Sequence, residues 1–249
     1  MFLITRNGRK VPVTHARRSA VMDDVRDHLR AGTGFAMATV NLDHMVQIGR
    51  NVDFAAAYAQ QDIIVADGRP IWWLSQLAGQ PVELMPGSDM IVPLARLASE
   101  EPRAIALIGS TEAALTGAET HLRRLIPALR VAYRHAPAMG FDPESDAARD
   151  ILAELEASGA GLCFLALGAP KQEVLAARGA KCAPSVGLVS IGAGLDFLAG
   201  HQRRAPRLVR ALALEWLWRA ATNPRRLIPR YARCFAILPG LAWRAWRAR

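Results

Sequence analysis

The body of the chain repeats one unit: an apolar run of strand length, a short polar loop, then an amphipathic helix. "FAMATVNLDH" (Phe35–His44) is such a strand with its loop and the start of a helix. "DIIVADGRP" (Asp62–Pro70) ends its apolar run in Asp-Gly and leads into the helical "IWWLSQLAG". "AIALIGSTEAAL" (Ala104–Leu115) carries a Gly-Ser-Thr turn, with Ser110 or Thr111 as the helix cap. "RVAYRHAP" reads as a short strand. "DPESDAARDILAELEASG" reads as a helix with carboxylates in its first turn, ended by Gly159. "GLCFLALGAPKQE" and "GLVSIGAGLDF" are two further strand-to-loop junctions. Strands that alternate with helices must run parallel, and the crossover helices then cover both faces. The expected fold is α/β, a Rossmann-like parallel sheet with helices on both faces.

In such sheets ligands bind beyond the carboxyl ends of the strands. The polar residues at those ends are Thr39, Asn41, Asp67, Ser110, Thr111, Lys171, Gln172, Glu173 and Asp196. The trio behind Gly168 could simply cap a helix. It is, however, one of at least five polar rims that the topology brings to one edge, and a shared site accounts for them together.

A length of 249 residues suffices for one large α/β domain or a domain with an appendage, and a 51% hydrophobic content excludes disorder. Cys163, Cys182 and Cys234 have neither metal-like spacing nor an evident pairing, and read as reduced, cytosolic side chains. No secretion signal is expected in "MFLITRNGRK", and no apolar run is long enough to span a membrane.

Charge divides the chain. Residues 201–249 contain 12 arginines, no lysine and one acid, Glu215, for a net +11, whereas the first 200 residues sum to −2. The expected organisation is a near-neutral α/β body over 1–200 and an arginine-rich helical appendage over 201–249. Within the appendage Arg226, Arg230 and Arg233 share one helical face, and Leu227, Tyr231, Phe235 and Leu238 another, with Trp243 and Trp246 beyond. That division suits a helix lying in an anionic membrane interface. The alternative is a helix packed on the body with a solvated arginine face. Nucleic acid is disfavoured as partner because the arginines are interleaved with Trp, Leu and Ile.

"TVNLDH", "VADG", "PGSDM", "LGAPKQE", "GAGLDF" and "RRAPRLVRALALEWLWRAATNPRRL" follow one another in this order. Together they resemble the bacterial WecG/TagA/CpsF glycosyltransferases of teichoic acid, enterobacterial common antigen and exopolysaccharide synthesis, over roughly Thr33 to Tyr231. The resemblance implies inverting transfer of a hexose-type sugar (glucose, glucuronic acid or N-acetylmannosamine type) from a UDP-sugar to a polyprenyl-diphosphate-linked saccharide. It also implies a Rossmann-like body with no required metal or other cofactor, and a C-terminal appendage that closes the site at the inner face of the cytoplasmic membrane. By position, the family's base corresponds to Asp67, its threonine and asparagine to Thr39 and Asn41, and its glutamine to Gln172. Its diphosphate-binding tail arginines fall among Arg204, Arg207 and Arg210. An arginine common in relatives is replaced here by Leu84.

Inverting transfer needs a base for the acceptor hydroxyl and a means of stabilising the leaving UDP. Asp67 lies behind a buried strand, and Gly68 lets a substrate approach the backbone; its plainer role is a turn or cap residue. The Gly109-Ser110-Thr111 turn is a candidate diphosphate cradle. Gly168, Lys171, Glu173 and Gly192 complete the expected nucleotide-sugar contacts, with Arg210. No Asp-x-Asp or histidine cluster has ligand spacing, so no metal is expected. A non-catalytic nucleotide-binding regulator with a membrane-associated tail is the competing class, and a homo-oligomer is left open.

Overall fold

The computed structural model describes residues 1–5, 7–200, 217 and 224–249. A hairpin comes first, β1 (Phe2–Ile4) and β2 (Lys10–Pro12), paired antiparallel around Asn7-Gly8, where Gly8 adopts φ +80°. Then follow α1 (Arg18–Ala31), β3 (Phe35–Val40), α2 (Leu42–Ile48), α3 (Val52–Ala59), β4 (Ile63–Ala66), α4 (Arg69–Leu77), α5 (Gly87–Glu100) and β5 (Ala104–Gly109). The chain continues through α6 (Glu112–Leu125), β6 (Val131–His135), α7 (Asp146–Ala157), β7 (Ala160–Ala166), α8 (Lys171–Cys182), β8 (Gly187–Ser190), α9 (Gly194–Leu198) and the last described helix, α10 (Pro224–Arg247).

The main sheet has six strands in the order β4-β3-β8-β7-β5-β6, and every pairing in it is parallel. Every residue of β3, β4, β5 and β8 is buried, as a sheet covered on both faces requires, so these strands read as continuous apolar runs. The edge strand β6 has no fully buried residue.

Alternate side chains of the strands enter different cores. Met37, Ile63, Val65, Phe164 and Val189 pack with α1, α5, α6 and α9 on one face. Ala38, Val40, Ile64 and Ala66 pack with α2, α3, α4 and the hairpin on the other. The chain therefore leaves β3 and β8, which are neighbours, toward opposite faces, and this opens a crevice between their carboxyl ends. Asn41, Asn51, Thr111 and Ser145 cap α2, α3, α6 and α7 with their side chains, so the Gly-Ser-Thr turn uses its threonine, not its serine, as the cap.

The last described helix is not a detached arm. Cys234 and Leu241 of α10 are buried in the same cluster as Leu3, Val11, Leu42, Ile71 and Leu74, with Ile237, Leu238, Ala242 and Ala245 packed beside them. Arg244 Nε donates to the Ile4 carbonyl at 3.0 Å, and Arg230 Nη2 pairs with Asp43 Oδ2 at 3.0 Å. The described part of residues 201–249 thus shares a core with residues 1–200. The reading of a helix packed on the body holds for one side of it. One side of α10 docks on α2, α4 and β1, while Ile228, Phe235, Trp243 and Trp246 are exposed on the rest.

Candidate active site

β3 and β4 end in register, Val40 opposite Ala66, so the next residues along each strand stand side by side. These are Asn41 and Asp67. The Asp67 N–H donates to the Val40 carbonyl at 2.9 Å, which extends the ladder by one step and fixes where the carboxylate begins. Asn41 Oδ1 accepts from the His44 N–H at 3.1 Å as the cap of α2, and its Nδ2 donates to Asp67 Oδ2 at 3.4 Å. One amide therefore anchors a helix and orients an acid. Asp67 is half-buried, held by backbone yet reachable. Gly68 follows at φ +84°, a conformation that glycine adopts without strain, and α4 begins immediately.

Beneath this pair lies a buried polar cluster. The Thr39 carbonyl accepts from His44 Nδ1 at 2.7 Å and from the Tyr58 hydroxyl at short range. Thr39, His44 and Tyr58 are all buried. Burial, and then the negative charges of Glu173 and Asp67, hold the Tyr58 hydroxyl well above the ordinary phenol range, so it is a committed donor.

The polar trio behind Gly168 divides. Lys171 opens α8 half-buried. Gln172 is buried and bridges two elements: its Oε1 accepts from the Gly192 N–H at 3.1 Å, and its Nε2 donates to Glu173 Oε1 at 2.9 Å. Gly168 and Gly192 both adopt positive φ at the half-open rim. Glu173 is fully buried, so the direct nucleotide-sugar contact expected of it is not available to its side chain. Desolvation pushes its carboxyl above the ordinary range, with the charge of His44 opposing that shift.

A third wall comes from a segment with little polar content. The Met85 N–H donates to the Ala66 carbonyl at 2.8 Å, which lays the chain before α5 along the end of β4. Leu84 is half-buried next to this pairing. Gly87 then starts α5 against the end of β8: a Cβ there would stand 3.0 Å from Ile191 Cα and 3.2 Å from the Ser190 carbonyl oxygen. The close approach explains glycine at this position and brings Ser88 and Asp89 to the crevice.

The opposite rim, beyond β5, uses its polar groups internally. The Ser110 N–H donates to the Ala166 carbonyl at 3.1 Å, and Ser110 Oγ donates to Asp196 Oδ1 at 2.6 Å. Thr111 Oγ1 accepts from the Ala114 N–H at 3.2 Å. Gly109 has φ +113° and lies so near β7 that a Cβ would stand 2.5 Å from the Ala166 backbone. The turn expected to cradle a diphosphate with its backbone N–H groups has committed the Ser110 N–H to β7. Arg204, Arg207 and Arg210 lie outside the described residues. Among the described residues no group of three His, Cys, Asp or Glu could hold a metal ion.

A sheet edge with a half-buried acid, an amide that orients it and glycines on both flanks is the setting of a group-transfer site. The family match extends over residues 7–249. The chain belongs to the Glycosyl transferase WecG/TagA/CpsF family. A protein of Bacillus spizizenii is 25% identical over 210 residues, covering 82% of this chain and 79% of that protein. It is named N-acetylglucosaminyldiphosphoundecaprenol N-acetyl-beta-D-mannosaminyltransferase.

Sequence reasoning singled out Leu84 and "PGSDM" but not the wall they form, and it missed the hairpin and the place of Tyr58. The hairpin carried a signal, Asn-Gly between apolar runs. Tyr58 carried none, because its partners come from α2, β3 and α8.

Proposed function

We propose that the chain is an inverting glycosyltransferase that moves a hexose-type sugar from a UDP-sugar to a polyprenyl-diphosphate-linked saccharide in cell-surface polysaccharide synthesis. The observation that carries this reading is the Asn41–Asp67 contact at the ends of adjacent strands, 3.4 Å long, with both residues half-buried. Asp67 takes the proton of the acceptor hydroxyl as that oxygen attacks the anomeric carbon and the UDP oxygen leaves from the opposite side. Asn41 keeps the carboxylate aimed. The Leu84–Asp89 wall and the Gly192 loop, held by Gln172, bound the space for the donor. The name of the Bacillus spizizenii relative supports a lipid-linked N-acetylglucosaminyl acceptor and an N-acetylmannosaminyl donor as the first pair to try.

The leaving diphosphate is met by arginines, with Arg204, Arg207 and Arg210 as candidates, and by helix N-termini at the sheet edge, without a metal. The acceptor lipid places the enzyme at the inner face of the cytoplasmic membrane. No described helix is long and apolar enough to cross a membrane. Exposed Trp243 and Trp246, with ring centroids 5.3 Å apart near Arg247 and Arg249, suit peripheral contact with an anionic surface.

The test is a donor screen. UDP-N-acetylmannosamine, UDP-glucose and UDP-glucuronic acid are each offered with a polyprenyl-diphosphate-linked N-acetylglucosamine acceptor. The expected result is one added hexose with inverted anomeric configuration. Donor binding without turnover of any donor would place the chain among nucleotide-binding regulators instead.

A further inference from the structure

α1 starts without a cap of its own. The side chain of its N-cap residue, Arg17, makes no capping hydrogen bond, and its first turn contains no acid. Two cations, Arg17 and Arg18, stand where the helix dipole favours negative charge. The missing partner comes from 65 residues further along the chain: Glu83 Oε2 accepts from the Arg18 N–H at 2.8 Å. The backbone of Glu83 is held at the same place, because its N–H donates to the Ala16 carbonyl at 2.7 Å. The strap before α1 that receives Glu83 is itself fixed. The Thr14 N–H donates to the Ile64 carbonyl at 2.9 Å, Thr14 Oγ1 accepts from the Ile64 N–H at 2.8 Å, and His15 Nε2 lies 3.2 Å from Asp24 Oδ2 of α1.

We infer that Glu83 is a positioning residue of the transfer, an inference that rests on the function given above: its carboxylate ties the start of α1 to the wall segment and so sets where Met85–Asp89 stand against the crevice. Glu83 is exposed and acts through the segment it opens, not on the substrate. One residue, Leu84, separates it from Met85, whose N–H pairs with the Ala66 carbonyl directly before Asp67. A shift of Glu83 therefore passes to that bond, and from there to Gly87, which has little room against Ser190 and Ile191. Val82 enters the core beside α4 and Met85 the core beside α1 and α5, so the segment threads between the two packing layers. α1 is a rigid reference for it, because Val21, Val25 and Leu29 are buried against the sheet.

The experiment compares the full-length chain with Glu83→Ala, Glu83→Gln and the double variant Arg17→Ser/Glu83→Ala. The double variant gives α1 a cap of its own, since serine at an N-cap accepts from an N–H of the first turn, but it does not restore the tie to the wall. Hydrogen exchange at the Met85 amide is expected to quicken about fivefold or more in Glu83→Ala and in the double variant. In Glu83→Gln, whose amide oxygen still accepts, it should stay within about twofold of the parent. Donor KM should rise about 3–10-fold in Glu83→Ala and stay raised in the double variant, with kcat within about twofold of the parent. The unfolding midpoint should fall in Glu83→Ala and recover in the double variant. If Glu83→Ala does not fold, the double variant carries the same comparisons. A cap that serves α1 alone would let donor KM and stability recover together. That result, a folded Glu83→Ala at parental donor KM, unchanged exchange at Met85, or a Glu83→Gln no better than Glu83→Ala would each overturn the proposal. A parent chain that transfers no donor overturns the transferase reading instead, and exchange at Met85 then decides the tie by itself.

Discussion

The β3–β4 rim and the β5–β7 rim are written in the same sequence pattern, an apolar strand followed by small and polar residues and a helix, yet they differ in what they leave available. At β3–β4 one amide spans two duties and points an acid at the crevice, with a buried layer of Thr39, His44, Tyr58 and Glu173 beneath it. At β5–β7 the serine hydroxyl, the serine amide and the threonine hydroxyl are all consumed by partners within the protein. The first rim joins two strand ends through an amide and an acid; the second ties its polar groups to its own helix and to β7 and α9. Only the first is backed by α10, whose Arg230 reaches Asp43 in the opening turn of α2. The lesson is that a polar turn at a strand end becomes a candidate site only once its internal partners have been counted.

The largest effect expected is at Asp67. Asp67→Asn keeps the shape of the rim but removes the base, and transfer should fall by about two to four orders of magnitude while UDP-sugar binding changes little. Calorimetric titration beside a radiolabel transfer assay measures both, and near-parental turnover by the folded variant would erase the contrast between the rims. Next is Leu241→Ala, which empties a buried position behind the β3–β4 rim. Unfolding free energy should drop by about 2–5 kcal/mol in a denaturant titration. A negligible drop would mean that α10 does not support this rim.

Glu173 sharpens the comparison through pH. The folded chain keeps this carboxyl protonated above the ordinary value of 4.5, whereas the unfolded chain ionises it there. Between those two values the folded state binds more protons, so the contribution is complete at low pH and declines as pH rises. The slope is at most about 1.4 kcal/mol per pH unit. Glu173→Gln should flatten that slope in denaturant midpoints measured from pH 4.5 upward; an unchanged slope would assign it elsewhere. The smallest effect belongs to the second rim. Ser110→Ala removes the 2.6 Å bond to Asp196 and should lower stability by about 1–3 kcal/mol with turnover close to the parent. A selective loss of turnover would show that the β5–β7 rim takes part after all.

Much of this was legible in the amino acids. The strand runs from Phe35 to Ser190 gave the sheet because strands buried on both faces must be apolar throughout. Asn41 and Asp67 were readable as rim residues because each directly follows such a run. Their contact was not, since it depends on β3 and β4 being neighbours in register. Gln172 and Glu173 are adjacent in sequence, and nothing in that pair tells which one ties the Gly192 loop and which is sealed inside. Tertiary packing decides it. The face of α10 that docks was also hidden, because Cys234 and Leu241 find their partners near residues 3, 42 and 71.

That long reach between Leu42 and Cys234 has a consequence for how the protein is made. About 190 residues separate the two, and at about 5–20 residues per second a ribosome takes roughly 10–40 s to add them. For most of that interval the hairpin, α2 and α4 have been synthesised, but the apolar surface that α10 will cover stays bare. The half of the molecule that holds the candidate base is therefore the last to be sealed, and it is the half a chaperone would have reason to guard during translation.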